Sequence, residues 1–271
     1  MKSTPHPIRL MGVALHQALS FSPLFDRRRA PSPDGGTVFF PGCSMLARGP
    51  ALAAAVFEYL TPVYPGIGVF GSCCGYPSTA LGREKERLAT LTDAMKGVRT
   101  VITCCPICSA TLKKIPTLNT VSIWRVLDEH PVGARHGGAG ANVGGKQVPH
   151  ILHDPCPTRD DPDVQEAFRR VMARAGVSFT EYHSNRGTAM CCGKGGMLMA
   201  LHPDKGMEML RRRIAQSPKR DVLTYCFACA DSFRSAGCRC VHGLELLFPA
   251  RGAGAATRFP WLNRLRSALW I

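Results

Sequence analysis

The feature that most constrains this chain is a repeat written in cysteine. Phe39-Phe40-Pro41-Gly42-Cys43-Ser44 returns as Leu152-His153-Asp154-Pro155-Cys156-Pro157. Ser72-Cys73-Cys74-Gly75 returns as Met190-Cys191-Cys192-Gly193, and Cys105-Pro106-Ile107-Cys108 as Cys226-Phe227-Ala228-Cys229. The offsets of 113, 118 and 121 residues drift only by small loop differences, so the halves are two copies of one unit. Between them, residues 132–149 hold six glycines in eighteen positions and read as a flexible linker. The expected organisation is a basic N-terminal tail (1–36), a first cysteine-rich domain (37–131), the linker, a second cysteine-rich domain (150–249) and a basic C-terminal tail (250–271).

Each half alternates β-prone runs with helical stretches. Residues 37–40, 67–70, 98–103 and 120–123 read as strands, with helices at 51–60, 83–95, 109–114 and 124–129. The second half repeats this with strands near 150–153, 177–182, 221–225 and 239–241, and helices near 163–175, 205–215, 230–235 and 244–248. Such alternation predicts an α/β fold of two pseudo-symmetric domains, each a small, mostly parallel sheet flanked by helices. Each cysteine group then falls just past the C-terminal end of a strand, the edge where such sheets build their sites.

Thirteen cysteines exclude a secreted disulfide framework, because the chain is long and the count is odd. Per half the pattern is one Cys, 29 or 34 residues, a Cys-Cys pair, 30 or 33 residues, then Cys-x-x-Cys. Five thiols exceed the four that tetrahedral zinc or a cubane cluster needs. A zinc ribbon wants two Cys-x-x-Cys knuckles, and a thioredoxin-like pair would leave the adjacent cysteines without a role. Iron–sulfur ligation accounts for all ten thiols; zinc accounts for at most eight.

The ten positions resemble, in order, the CCG cysteine-rich domain found in a subunit of heterodisulfide reductase. That domain also occurs in the iron–sulfur subunits of lactate, glycolate and anaerobic glycerol-3-phosphate oxidation systems. The resemblance implies two noncubane [4Fe–4S] clusters, one on Cys43, Cys73, Cys74, Cys105 and Cys108, the other on Cys156, Cys191, Cys192, Cys226 and Cys229. It implies an oxidoreductase subunit that passes electrons to a disulfide-type substrate. The alternatives are an electron-transfer subunit of a flavin-dependent dehydrogenase, with no substrate of its own, and a zinc-stabilised interaction protein. No ferredoxin-type segment accompanies the repeat, so a ferredoxin-like iron–sulfur subunit or a flavoprotein is the expected electron partner.

Gly42, Gly75 and Gly193 flank ligand positions, where a missing side chain lets backbone approach cluster sulfides and donate N–H bonds. The run 193–197 lacks Walker spacing and reads as a loop covering the site. His153 is a candidate proton donor to a leaving thiolate, or else a structural histidine; its counterpart is Phe40. Lys194 and Arg159 stand beside ligand positions and either attract an anionic group or are merely solvated. Cys104, Cys238 and Cys240 fall outside the repeat and read as packing residues.

A formal charge of +15 would suit a nucleic-acid binder, but nine of those charges sit in the tails and linker. With 7 % aromatics and no helix-turn-helix, zinc-finger or RNA-binding signature, nucleic acid is excluded as a partner. No apolar run reaches the roughly 18 residues of a membrane span. The apolar patch after Lys2 and Arg9 is interrupted by His16 and Gln17, so a secretory signal is not expected and the protein is placed in the cytoplasm. Arg27-Arg28-Arg29 reads as a solvated tail. Residues 258–271 carry Trp261, Leu262, Leu265, Leu269 and Trp270 at near-helical spacing among arginines. They read as a packed terminal helix or as a segment outside the fold that docks on a partner or peripherally on the inner membrane face, and the second is the working expectation.

Overall fold

Two sheets of the same strand order carry the molecule. In the computed structural model, which describes residues 5–133, 149–248 and 259–271, the first half holds β1 (Arg28–Arg29), β2 (Thr37–Phe40), β3 (Gly68–Phe70), β4 (Thr100–Thr103) and β5 (Asn119–Ser122). The second holds β6 (His150–His153), β7 (Phe179–Glu181), β8 (Asp221–Thr224) and β9 (Arg239–His242). The orders are β1-β3-β2-β4-β5 and β7-β6-β8-β9, so β3-β2-β4-β5 repeats as β7-β6-β8-β9. Every pairing is parallel except that of β1 with β3. The central strands are runs of buried side chains (Val38 to Phe40, Val101 and Ile102, Ile151 and Leu152, Val222 and Leu223), as parallel strands covered on both faces require. The α/β class and the tandem repeat are as the sequence reading has them. The linker lies almost wholly outside the described residues.

The first-half helices are α1 (Pro7–Ser20), α2 (Cys43–Leu46), α3 (Pro50–Val63), α4 (Glu84–Ala94), α5 (Pro106–Leu112) and α6 (Ile123–Glu129). Those that follow are α7 (Pro162–Arg174), α8 (Leu198–Leu201), α9 (Pro203–Ala215), α10 (Phe227–Ser235), α11 (Gly243–Leu247) and α12 (Pro260–Trp270). The helices expected at 109–114 and 230–235 start three residues earlier, at Pro106 and Phe227. Cys105 and Cys226 are extended N-cap residues, and Pro suits a first helical turn.

The halves share one core. Trp124 of α6 meets Phe168 of α7 edge to face, ring centroids 4.6 Å apart, and Tyr225 at 6.3 Å. The same apolar cluster runs from Phe39 and Ile102 through Trp124 to Leu223 and Phe227. Gly243 is glycine because a Cβ there would lie 2.7 Å from both the Phe168 and Trp124 rings. At the rim Asp128 accepts hydrogen bonds from Arg170 at 2.6 Å and Arg174 at 2.7 Å.

Both terminal segments differ from expectation. Residues 5–29 are not a solvated tail: α1 buries Val13, Gln17 and Ser20, and β1 extends the first sheet. The polar residues that interrupt the apolar patch include the one, Gln17, that faces the interior. Arg28 and Arg29 lay their guanidinium groups over the rings of Phe70 and Phe57, at 5.6 and 5.1 Å. Nor does the described part of the C-terminal segment lie outside the fold. Helix α12 packs on α2 and α3 and buries Asn263, Arg264, Ser267 and Ala268, while Leu262 and Leu269 face outward. Its buried face is polar because it supplies donors to backbone carbonyls; residues 250–258 lie outside the described set. Among the described residues no helix is long and apolar enough to cross a membrane.

Replacing Trp124 with Ala should cost about 3–5 kcal/mol of unfolding free energy, the usual loss for a buried large aromatic. Because the core is shared, denaturant unfolding followed by circular dichroism should shift as one transition. A second half that unfolds at its old midpoint would refute the shared core.

Candidate metal centre

The C-terminal ends of four parallel strands each deliver a cysteine. Cys43 follows β2 and opens α2, behind Gly42 with φ +80°. Cys105 follows β4 and caps α5, Cys226 follows β8 and caps α10, and Cys156 starts a short 3-10 turn after β6. Cys108 and Cys229 lie in the first turns of α5 and α10, so each Cys-x-x-Cys surrounds a helix N-terminus, where free N–H groups favour thiolate. The Cys-Cys pairs come from the loops after β3 and β7.

These loops and helix ends join the thiols in one line. Sulfur contacts run from Cys43 to Cys73 to Cys74 to Cys108 to Cys105. In the second half they run from Cys156 to Cys191, 3.7 Å apart, to Cys192, to Cys229 at 3.2 Å from it, to Cys226. The two lines meet where Cys105 touches Cys226. All thirteen cysteines are free thiols. Cys104 sits in the shared core, and Cys238 and Cys240 in an apolar cluster of the second half.

Backbone donors surround the sulfurs. The N–H of Gly75 points at Cys73 Sγ at 3.4 Å, and that of Gly195 at Cys191 Sγ at 3.3 Å. Gly193 also donates to Cys191, and Lys194 to Cys192, so the glycine-rich run 193–196 forms a nest of N–H groups around the pair. Hydrogen bonds from neighbouring thiols push Cys74 and Cys191 below the ordinary thiol range. The same cause holds Cys105 well below the ordinary thiol range, helped by the N–H groups of Ile107 and Cys108. A Cβ on Gly42 would lie 3.0 Å from Cys108 Sγ, and one on Gly195 would lie 2.9 Å from Cys191 Sγ and 3.2 Å from Cys156 Sγ. Gly193 has φ +87° and a Cβ there would strike the Gly206 carbonyl at 2.2 Å, so it packs against α9 as well.

His153 is fully buried on β6. Its Nδ1 accepts from Arg213 Nε at 3.2 Å, its Nε2 has no partner, and one ring nitrogen lies within 4.8 Å of Cys192 and Cys229 Sγ. Burial, then the Arg213 charge, pushes its pKa down to about 3, so the ring is neutral and its proton belongs on Nε2. The second thiol group therefore has an N–H donor where the first has the ring of Phe40. Next to it, buried Asp154 accepts from both Arg169 Nη atoms (3.1 and 2.8 Å), Tyr225 Oη (2.8 Å) and the Arg186 N–H (2.8 Å), which fixes the chain just before Cys156. Arg159 is engaged: Nε and Nη2 donate to the Ala189 carbonyl at 2.8 and 2.5 Å and hold the approach to Cys191. Lys194 lines a cavity of about 320 Å³ together with Cys43, Cys74, Cys105, Cys108, Met197 and Met199.

Two residues at the site were not legible as such. Gln17 Nε2 donates to Cys73 Sγ at 3.7 Å while its Oε1 accepts from Ser78 Oγ at 2.8 Å, and His16 lines the cavity. The signal was slight: Gln17 lies one turn after Val13 on an inward face that also carries His16 and Ser20, while Ile8, Met11 and Leu15 are exposed. Tyr76, two residues past the first pair, accepts the Gly196 N–H at 2.8 Å and so ties the two cysteine loops together.

Residues 37–113 and 151–234 each match the model of the cysteine-rich domain called CCG, which covers more than half of the sequence; the chain belongs to this family. Among curated proteins it is similar to a subunit of the fumarate reductase (CoM/CoB) of Methanothermobacter marburgensis. The identity is 26 % over 231 residues, which are 77 % of this chain and 44 % of that protein, so the chain spans less than half of this relative's length. The CCG resemblance read from the cysteine pattern is borne out.

Replacing Gly195 with Ala should push Cys191 out of line and lower the metal bound per chain, measured by elemental analysis after anaerobic purification. Gly12→Ala, on the outer part of α1 with nothing within 4 Å of the added carbon, should bind as much metal as the parent. Equal metal in both variants would refute the cradle.

Proposed function

We propose that this CCG-family chain is an iron–sulfur electron-transfer subunit holding two [4Fe–4S] clusters of the noncubane type and delivering electrons to a disulfide-type substrate. Cys43, Cys73, Cys74, Cys105 and Cys108 would hold one cluster, and Cys156, Cys191, Cys192, Cys226 and Cys229 the other, so that residues 37–131 and 150–249 act as one cluster domain each. The observation that carries the reading is the unbroken line of ten free thiols, five per half, with Cys105 against Cys226. Zinc would leave one thiol of each five unused, and apolar packing does not require thiols to lie edge to edge. Bound clusters would supply one-electron transfer.

The chain's own residues support this role. The N–H groups of Gly75, Gly193, Lys194 and Gly195 stabilise negative charge on sulfur. The cavity beside the first set offers the Lys194 ammonium to an anionic substrate group and the thioethers of Met197 and Met199 to its apolar part. His153 Nε2–H is a fixed donor toward the second set; buried and neutral, it serves as a hydrogen-bond donor rather than a titrating acid. The similar protein is itself part of a multi-subunit reductase, which supports a partner protein here. A ferredoxin-like iron–sulfur protein or flavoprotein fits as the electron partner. The exposed row of Ile8, Met11 and Leu15 on α1, beside the cavity wall at His16, is the face on which it would dock.

Anaerobically purified protein should contain about eight irons with matching sulfide, two tetranuclear clusters. Cys191→Ser or Cys192→Ser should remove roughly half of that iron, whereas Cys104→Ser, Cys238→Ser and Cys240→Ser should leave it unchanged. A colourless protein that carries zinc would overturn the reading.

A further inference from the structure

The last helix is tied to the short helix that presents Cys43. Ser267 Oγ donates to the Leu46 carbonyl at 2.9 Å, and Asn263 Nδ2 donates to the Ala47 carbonyl at 2.9 Å. The Leu46 carbonyl, which also accepts the Gly49 N–H at 3.1 Å, and the Ala47 carbonyl just past α2 thus take side-chain donors from α12. Between these anchors lies Arg264, only 5 % exposed. Its guanidinium stands over the rings of Trp261 and Phe25, at 4.5 and 5.2 Å, and Nη1 donates to Ser20 Oγ at 3.0 Å. Nε and Nη2 have no hydrogen-bond partner, and no carboxylate among the described residues forms an ion pair with it. Its charge acts on the Cys43 thiol.

A buried guanidinium with two idle nitrogens and no counter-ion is a costly arrangement unless an anion belongs nearby. The two halves show where that anion belongs. In the second half a buried arginine comes from inside the repeat: Arg213 of α9 stands behind His153, close to Cys192 and Cys229. The buried polar side chains of residues 37–131 are Ser72, Ser78, Thr103, Thr111 and Ser122, with no charge among them. No charged side chain of the first copy is fully buried (Arg87, beside Gly75, is 19 % exposed), and α12 brings a fully buried one.

We propose that Arg264 is a positioning residue of the first centre, its buried guanidinium compensating the negative charge of a cluster held by Cys43 and the four thiols joined to it. On this view α12 is a working part of that centre and not a docking tail. The inference rests on the iron–sulfur reading above. A fixed cation favours the more negative, reduced form of a cluster, so Arg264 raises the potential of the first centre and leaves that of the second alone.

The test uses the full chain with Arg264→Gln and Arg264→Lys, iron and sulfide analysis, and redox titration of both centres followed by electron paramagnetic resonance. Arg264→Gln should retain iron and lower one of the two midpoint potentials by about 59 mV, a tenfold shift in a one-electron equilibrium. Arg264→Lys should restore most of that shift. Loss of iron from one centre in Arg264→Gln, with retention in Arg264→Lys, would also support a charge role. Equal iron loss in both variants would show that the residue only packs, and unchanged potentials with iron intact would overturn the inference alone. A parent protein that binds no iron would overturn the iron–sulfur reading and this inference together.

Discussion

The contact between Cys105 and Cys226 is the constraint around which the rest is arranged. For these two helix-capping cysteines to touch, the C-terminal edges of two separate sheets must face one another, and the helices after β4 and β8 must point their N-termini at one place. Burial in apolar surroundings disfavours thiolate, so sulfurs drawn together this way need donors. Helix N-termini provide some, the 193–196 nest provides others, and the thiols themselves provide the remainder. The shared core beneath Trp124 and Phe168 keeps the two edges in register, which two beads on a linker could not do.

Equal topology does not make the halves equal in chemistry. Phe40 faces the first set where His153 faces the second; Cys104 stands in the shared core where Tyr225 bonds Asp154. The second half fixes its cysteine strand through the buried Asp154, Arg169, Glu181 and Arg186 network. Such a network contributes little net stability against its desolvation cost, but it specifies one geometry. Among the described residues the first half has no buried ionic network, and Gln17 of α1, from outside the repeat, donates to its Cys73. The two similar thiol sets therefore sit in chemically distinct environments.

All strands but β1, the repeat and the helix–thiol relationship were legible because each is written in short-range pattern: short β-prone runs, Cys-x-x-Cys across one helical turn, glycine beside sulfur. The packing of the terminal segments was not, and for one reason in both cases. A helix is recognised by its apolar stripe on the assumption that the stripe faces inward. Helix α12 turns Asn263, Arg264 and Ser267 inward instead and leaves Leu262 and Leu269 outside, its inward side chains donating to the Ala47 and Leu46 carbonyls and to Ser20. In α1 the buried glutamine looked like an interruption for the same reason.

What the amino-acid sequence determined by itself is the existence of two equivalent five-thiol sets, each placed at strand ends within an α/β unit. Spacing along one strand, one turn and one helix is a local property, and local backbone geometry enforces it. Only the tertiary structure decided which sulfurs of one half approach the other, that His153 lies against Cys192 and Cys229 with Arg213 on its far nitrogen, and that Arg264 is buried on the helix tied to the end of α2. The pairs Cys105 with Cys226 and Leu46 with Ser267 are separated by 121 and 221 residues. No local periodicity reaches across such distances; packing of the shared core alone brings them together.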